Sequence, residues 1–295
     1  MADLLNTDEA AAYLRLSERK LYELVANGAV PCTKVTGRWL FPKAALDRWL
    51  AAGLARPAGF VPAAAPPIVG GSHDPLLEST LRESGSGLAS LPEGSEAGLG
   101  RLVRGEVAAA AIHLHRLDGD DDTANLDAVA AAPGLHDAVV IAFARREQGL
   151  IVAPGNPLRL SDLRSVAEGH ARIALRPQGA GAQLLLMALL RRDGLSPAAL
   201  AKITPPCATG SDIAQAVQAA RADCGIATRS VARSANLDFV PLVWERFDLV
   251  LRQRDYFLPP QQALFAFLRT KTFAERAREL TGYDVAEAGQ VRLVN

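Results

Sequence analysis

The chain has 295 residues, of which 49% are hydrophobic and 22% are charged, so it can build a large core and its length favours two domains. Lys and Arg number 32, and so do Asp and Glu; zero net charge excludes a uniformly basic nucleic-acid coat and an acidic disordered chain. Three widely spaced cysteines, Cys32, Cys207 and Cys224, argue against a disulfide scaffold and a structural zinc site.

The N-terminal residues contain neither the basic stretch nor the apolar stretch of a secretory signal. No apolar run approaches the roughly 18 residues of a membrane span. We therefore expect a cytoplasmic protein that has no contact with a membrane.

Two short helices are predicted within the first 28 residues. Thr7 is a candidate N-cap for the first, because two acidic residues then lie in the first turn, where the helix dipole favours them. Ser17 is a candidate N-cap for the second helix, which would end near Asn27. Gly28 then occupies the position of a C-cap glycine. Two such helices, joined by three or four residues, have helix-turn-helix geometry.

A pair of strands is predicted between Val30 and Pro42, around a tight turn at Thr36 and Gly37. A closing helix is predicted from Ala44 to Leu50. Residues 15–43 contain six basic and two acidic residues, so positive charge is concentrated here although the whole chain is neutral.

The segment LLNTDEAAAYLRLSERKLYELVANGAVPCTKVTGRWLFPKAALDRWL resembles the excisionase/MerR-like winged helix-turn-helix over about fifty residues. This resemblance implies a domain that binds double-stranded DNA, with the second helix in the major groove. The implied DNA contacts lie on the second helix and on the wing: Ser17, Arg19, Lys20, Tyr22, Lys34, Thr36, Gly37 and Arg38. Such side chains supply affinity through phosphates and selectivity through base edges. The alternative is a small helical bundle whose charges only keep it hydrated.

A change in composition follows this segment. Residues 53–67 are rich in Pro, Ala and Gly and favour an extended, semi-rigid spacer. We therefore predict a DNA-binding domain over 1–52, a linker over 53–67 and a larger domain over 68–295.

In the larger domain, strand-like apolar runs alternate with helical patterns, which predicts an α/β fold. Gly or Ser precedes the helix at four places, where unpaired N–H groups at the sheet edge could hold an anion. The most specific of these loops is Gln178–Gly181, which follows Arg176. Its spacing is not that of a P-loop.

This region resembles a periplasmic-binding-protein-like substrate-binding domain of the cytoplasmic kind that is attached to DNA-binding domains and linked with molybdenum metabolism. The resemblance covers roughly residues 68–294 and is carried by GGSHDPLLE (70–78), AAIHLH (110–115), GLIVAPGNPL (149–158), LRPQGAGAQ (175–183), ADCGIA (222–227) and LDFVPLVWERFDLVL (237–251). It implies two α/β lobes, with the chain crossing between them near 142–148 and 241–247. Lobe one would combine 68–143 with 246–295, and lobe two would be 149–240.

Molybdate and tungstate binders of this architecture hold a tetrahedral anion with Ser hydroxyls and backbone N–H groups. The resemblance therefore implies a ligand site at Ser72, Ser95, Ala180 and Gly181, surrounded by His73, His113, Arg176, Gln178 and Gly179. Ala182 departs from the pattern, because a hydroxyl often follows the glycine loop. Another oxyanion, a small organic acid or a pterin-type molecule therefore remains an alternative, and no cofactor is expected.

The same residues allow two further interpretations. His113 and His115 would lie on one face of a strand and could bind a transition metal, but no Cys or carboxylate is placed nearby by spacing. We expect one of them to bond in the cleft and the other to be exposed, without a metal. Ser72-His73-Asp74 could suggest an enzyme, yet neighbours in sequence rarely form a triad, and a helix-capping turn is expected.

These observations predict a one-component transcription regulator and not an enzyme. Its N-terminal domain would bind DNA and its two-lobe domain would sense molybdate or tungstate. A homodimer is expected, because each chain carries one short DNA-reading unit.

Overall fold

The computed structural model describes residues 4–35, 37–53, 64–115 and 122–294. Thr36 and residues 54–63 of the predicted linker lie outside these ranges. The chain divides into two compact units, of which the smaller contains the N-terminal residues and the larger contains most of the chain after residue 63.

The N-terminal unit contains three helices and a three-stranded sheet. Its elements are β1 (Leu4–Leu5), α1 (Thr7–Leu14), α2 (Glu18–Ala26), β2 (Thr33–Val35), β3 (Arg38–Pro42) and α3 (Lys43–Ala52). The sheet order is β1-β3-β2, with antiparallel neighbours. Leu21, Phe41 and Leu46 form the buried centre. This arrangement confirms the predicted helix-turn-helix and wing strands, and adds β1, which was not predicted.

Side-chain capping sets where the first two helices begin. The prediction that Thr7 caps α1 was wrong: the N-cap is Asn6, whose Oδ1 accepts from the Glu9 N–H at 2.9 Å. Glu9 in turn accepts from the Asn6 N–H at 2.8 Å, a reciprocal capping box that Thr7 cannot form from within the first turn. The prediction for α2 is confirmed, since Ser17 Oγ accepts from the Lys20 N–H.

The larger unit is a mixed α/β structure. Its strands are β4 (Ile68–Gly71), β5 (Ala89–Pro92), β6 (Ala109–Ile112), β7 (Ala138–Val152), β8 (Arg172–Ala174), β9 (Ala201–Lys202), β10 (Cys224–Thr228), β11 (Asp238–Arg252), β12 (Tyr283–Asp284) and β13 (Val291–Val294). The helices are α4 (Pro75–Glu83), α5 (Ser95–Arg104), α6 (Ala124–Ala131), α7 (Leu163–Glu168), α8 (Gly181–Arg192), α9 (Gly210–Gln218), α10 (Arg229–Ser234), α11 (Gln253–Tyr256), α12 (Pro259–Leu268) and α13 (Lys271–Leu280), with a 3-10 turn at Pro197–Ala199.

One sheet runs through this unit in the order β5-β4-β6-β11-β7-β10-β8-β9, with β12 and β13 also paired to β7. The outer strands pair in parallel, as β4 does with β5 and β6, and β8 with β9 and β10. The central strands β7 and β11 are antiparallel along their whole length. Both predicted crossing segments, 142–148 and 241–247, lie inside these two long strands.

Apolar cores lie at opposite ends of β7. Ile141 and Phe143 belong to the core formed with α4, α12 and α13, whereas Leu150 and Val152 belong to the core formed with α7 and α8. Between them β7 carries four polar residues, 145–148, and an apolar core cannot continue across them. This polar interval separates the lobes.

Candidate functional site

A small cavity lies where the two lobes meet and encloses about 30 Å³. Lobe one and the central strands contribute Ser72, His73, His113, Arg146 and Gln148, and lobe two contributes Arg176, Ala180, Gly181, Ala182, Gly210, Ile226, Ala227, Thr228 and Val231. No carboxylate is among these described lining residues, whereas two guanidinium groups are. Arg146 is paired with Asp74 and Glu245 behind the cavity, so Arg176 is the guanidinium that makes the cavity favour negative charge. A larger groove of about 710 Å³ lies beside it and shares His73 and Val231.

Six of the nine predicted ligand residues line this cavity, and they come from three separate loops. They are Ser72, His73, His113, Arg176, Ala180 and Gly181. The other three, Ser95, Gln178 and Gly179, are not among its lining residues. Gln178 is exposed, because the chain reverses at Gly179, which has φ +82°, and only the residues after the turn face inward.

Ser95 supports the cavity from behind. Its side chain is fully buried and its Oγ lies 2.8 Å from Ser72 Oγ. The same oxygen accepts from the His113 N–H at 3.0 Å and lies 3.1 Å from the His113 carbonyl oxygen. Ser95 therefore positions two lining residues and has no hydrogen-bonding capacity left for a ligand.

The first turn of α8 closes the cavity from lobe two. Its N-cap, Ala180, has no side chain that could accept from the first backbone N–H groups, which a ligand could satisfy instead. Gly181 is packed so closely that a Cβ would lie 2.1 Å from the His113 carbonyl oxygen. The Glu96 N–H also donates to the Gly179 carbonyl at 3.3 Å. These contacts hold the two lobes together across the cleft.

Arg176 is the main source of positive charge from lobe two. It forms no ion pair with any carboxylate in the part of the chain that the structure describes, and its Nε is buried without a hydrogen-bond partner there. Burial lowers the pKa of Arg176 to about 10, so the guanidinium is still protonated at neutral pH. A buried cation of this kind is costly unless an anion pairs with it.

Arg146 and Gln148 also line the cavity, and the sequence analysis missed them. They alternate with the exposed Arg145 and the half-buried Glu147 along β7, so both lie on the buried face. The sequence does contain a signal for them, because polar residues at alternate positions of a long apolar strand indicate a buried polar site.

Glu245 connects these residues from β11. Its Oε1 accepts from Arg146 Nε at 2.6 Å and from Gln148 Nε2 at 2.9 Å. Its Oε2 lies 3.1 Å from His113 Nδ1 and 2.7 Å from His115 Nε2. Burial raises the pKa of Glu245, but the positive charge of Arg146 and the hydrogen bonds from His113 and His115 lower it more, so it stays well below its usual value and the side chain is ionised.

Both histidines after β6 are buried, which corrects the expectation that one would be exposed. The side chains of His113 and His115 are 6% and 1% exposed. Because β6 runs antiparallel to β11, with Ile112 opposite Asp248, the residues after Ile112 lie beside Glu245, 130 positions away from His115 in sequence. Burial lowers the pKa of His113 to about 4, so this imidazole is neutral at neutral pH.

Asp74 extends the network across the lobes. Its Oδ1 caps α4 through the N–H groups of Leu76 and Leu77, which confirms the predicted capping turn at 72–74. Its Oδ2 accepts from Arg146 at 2.8 Å and from the Tyr283 hydroxyl at 2.9 Å. The Tyr283 oxygen also lies 2.9 Å from Ser230 Oγ of α10 in lobe two. Asp74 is thus committed to structure and does not form a catalytic triad.

The predicted DNA contacts lie on exposed parts of the N-terminal unit. The side chains of Arg19 and Lys20 on α2 are 92% and 56% exposed and lie 3.8 and 2.9 Å from Glu23. Tyr22 is 48% exposed. Ser17 Oγ caps α2, and Thr36 lies outside the described residues.

The wing carries the remaining predicted contacts. Lys34 Nζ lies 5.2 Å from the centre of the Trp39 ring, at the base of the turn. Gly37 has φ +81°, which the tight turn requires, and Arg38 is exposed at the start of β3.

Two family models match the chain. Residues 4–53 match a model described as helix-turn-helix domain, and residues 78–269 match one described as PBP superfamily domain. The chain belongs to the PBP superfamily. Its PBP domain carries every residue of the cavity except Ser72 and His73, which precede the matched range.

Relatives and solved structures support this assignment. The protein YvgK of Bacillus subtilis (strain 168) is 23% identical over 306 aligned positions, 97% of this chain and 96% of YvgK. A tungstate ABC transporter protein of Geobacter sulfurreducens is 13% identical, with a TM-score of 0.51, over 72% of this chain and 97% of that one. A substrate-binding protein of Clostridium perfringens with bound phosphate is 12% identical, with a TM-score of 0.51, over 72% and 96%. At these identities, the structural matches establish the fold alone.

No helix among the described residues is both long and apolar enough to cross a membrane.

Proposed function

We propose that the protein is a cytoplasmic one-component transcription regulator. The helix-turn-helix domain binds double-stranded DNA as a homodimer, and the PBP domain senses a small oxyanion, molybdate or tungstate, between its lobes. The single observation that carries the proposal is the cavity itself: two guanidinium groups, hydroxyls and the first turn of α8 line it, without a carboxylate among the described lining residues.

The chemistry of the lining favours a fully deprotonated dianion. Arg146, Arg176 and the amides of α8 can only donate hydrogen bonds. Hydrogen phosphate carries a proton that needs an acceptor, and the described lining offers only neutral acceptors, such as the amide oxygen of Gln148, in place of a carboxylate. Molybdate, tungstate and sulfate are unprotonated at neutral pH and need donors only. The fold shared with a tungstate-transporter protein supports the same ligand class.

The cavity size favours a compact ligand. A cavity needs roughly 10–15 Å³ to hold one water molecule. Pockets for drug-sized molecules enclose about 300–1,000 Å³. The 30 Å³ enclosed here suits a small polyatomic ion. A pterin-type ligand would have to occupy the neighbouring groove with the lobes apart.

Ligand binding can change the arrangement of the lobes because its donors come from both. Arg146 belongs to a central strand and Arg176 to lobe two, so an anion held by both favours the closed arrangement through its differential affinity. In a dimer, closure would alter the spacing of two DNA-binding units and hence the affinity for an operator.

Isothermal titration calorimetry with molybdate, tungstate, sulfate and phosphate tests the ligand assignment. We expect molybdate or tungstate to bind the full chain most tightly, and Arg176→Gln to weaken that binding by about tenfold to a hundredfold, since hydrogen bonds to charged groups contribute about 1.5–3 kcal/mol. Arg172→Gln is the matched control, because Arg172 is exposed and pairs with Asp223 on the surface. Binding of a small organic acid but no inorganic anion would reject the oxyanion. Turnover of a compound without DNA binding would favour an enzyme.

A further inference from the structure

We propose that His113, His115 and Glu245 form a binding site for a divalent first-row transition-metal ion, a cluster defined here as the His-His-Glu site. His113 Nδ1 and His115 Nε2 lie 3.1 and 2.7 Å from the same oxygen, Glu245 Oε2, and the three ligand atoms all lie within 4.8 Å of one another. Two imidazole nitrogens and one carboxylate oxygen are a donor set suited to Zn²⁺, Co²⁺ or Ni²⁺, and poorly suited to Mg²⁺ or Ca²⁺.

The fold prepares the three side chains for this geometry. Alternate residues after β6 place both imidazoles on the same side of the chain, and β11 supplies Glu245 from the neighbouring strand. The Glu245 oxygen that faces the histidines is distinct from the one that faces Arg146 and Gln148. These two donors therefore orient the carboxylate from behind, as outer-shell partners do in metal sites.

The local charge balance also favours a cation. The hydrogen-bonded group contains two carboxylates, Asp74 and Glu245, against one guanidinium, Arg146. The side chains of all three are at most 1% exposed, so water screens them little. A divalent ion at Glu245 Oε2 compensates the excess negative charge.

Metal binding requires a tautomer change in His115, whose Nε2 also faces the carboxylate, and in His113. His113 Nδ1 now faces the carboxylate and so carries the proton of the neutral ring. When Nδ1 binds the metal, that proton resides on Nε2 instead, so the ring remains neutral and becomes a donor at its other nitrogen. No net proton is gained or lost at this residue.

Cobalt titration of the full chain tests the His-His-Glu site. After treatment with a chelator, the wild-type protein should bind one Co²⁺ per chain, with the visible ligand-field bands of a low-coordinate ion, and Zn²⁺ should displace it. His115→Gln retains a donor to Glu245 but removes a ligand nitrogen, and should weaken Co²⁺ binding by about a hundredfold or more, since even outer-shell changes cost about 10–100-fold. His170→Gln, at an exposed position of lobe two, is the matched control and should bind as the wild type does.

If His115→Gln does not fold, nitrogen NMR of the wild-type protein tests the His-His-Glu site instead. The chain has five histidines, so nitrogen NMR of the wild-type protein can resolve them with and without Zn²⁺. Zinc should shift His113 at Nδ1 and His115 at Nε2 and leave the others unchanged. Absence of stoichiometric Co²⁺ binding, equal binding by His115→Gln, or zinc shifts at other histidines would overturn the site. His113 belongs to both sites, but His115 does not line the anion cavity, so the comparison of His115→Gln with the wild type separates metal binding from oxyanion binding.

Discussion

The guanidinium of Arg146 is 1% exposed and lies between two carboxylates, 2.8 Å from Asp74 and 2.6 Å from Glu245. It also stacks 4.1 Å from the centre of the Phe247 ring, which provides a cation–π contact. Asp74 caps α4, whereas Glu245 and Phe247 both belong to β11, so this one side chain joins the start of α4 to β7 and β11. A buried ion pair adds little net stability by itself, but the loss of one member leaves the others unpaired in a poorly solvated interior.

We predict that Arg146→Met lowers the free energy of unfolding by about 3–5 kcal/mol, because Asp74 and Glu245 lose their shared cation. Urea denaturation followed by circular dichroism measures this change. Arg172→Met serves as the control, since it removes a partly exposed pair with Asp223 and should cost no more than about 1 kcal/mol. Similar losses in the two variants would show that the buried network does not depend on Arg146.

At the scale of elements, the two helices that begin at the cavity differ in how tightly their first residue is packed. A Cβ on Gly181, the first residue of α8, would lie 2.1 Å from the His113 carbonyl oxygen and 2.4 Å from its ring. A Cβ on Gly210, the first residue of α9, would meet its nearest neighbour at 3.5 Å, an ordinary contact. Only α8 therefore needs glycine for the lobes to approach each other.

Gly181→Ala should weaken anion binding by on the order of tenfold or more, because the methyl group lowers the population of the closed form that binds the ligand. Calorimetry measures the affinity, and small-angle scattering should show a more open protein in the presence of the anion. Gly210→Ala is the comparison, and its effect should be much smaller. If the two variants bind alike, closure at α8 does not control affinity.

At the scale of the whole molecule, a chain with equal numbers of acidic and basic residues concentrates positive charge in its N-terminal unit. Contacts to DNA phosphates release counterions, so affinity should fall steeply as salt rises. The Arg19 side chain is 92% exposed and lies 3.8 Å from Glu23, a weak pairing that phosphate can replace.

Arg19→Ala should weaken binding to a short mixed-sequence duplex and reduce the slope of log affinity against log salt by about one. Fluorescence anisotropy over a range of salt concentrations measures both. Arg192→Ala is the control, because Arg192 is also exposed but belongs to lobe two. A variant with an unchanged slope would place the DNA contacts elsewhere on the protein.

Much of the fold could be predicted because its signals are local. Ser17 caps α2 through an amide three residues away, and Asp74 caps α4 through amides two and three residues away. The predicted N-cap of α1, Thr7, differs from the observed N-cap, Asn6, by one residue. The acidic first turn that suggested a cap there is present in the structure. Arg176, Ala180 and Gly181 were recognised as site residues because one short loop contains them all.

The sequence by itself therefore determined the two domains' fold classes and the glycine loop at the head of α8, since hydrophobic periodicity and helix capping depend on neighbours within a few positions. Only the tertiary structure decided that Arg146, Gln148 and Glu245 share one buried network, that Gln178 faces solvent and that His115 is buried. The physical reason is that strand pairing brings together residues about a hundred positions apart, and a single chain's local pattern does not record which strand will lie beside which.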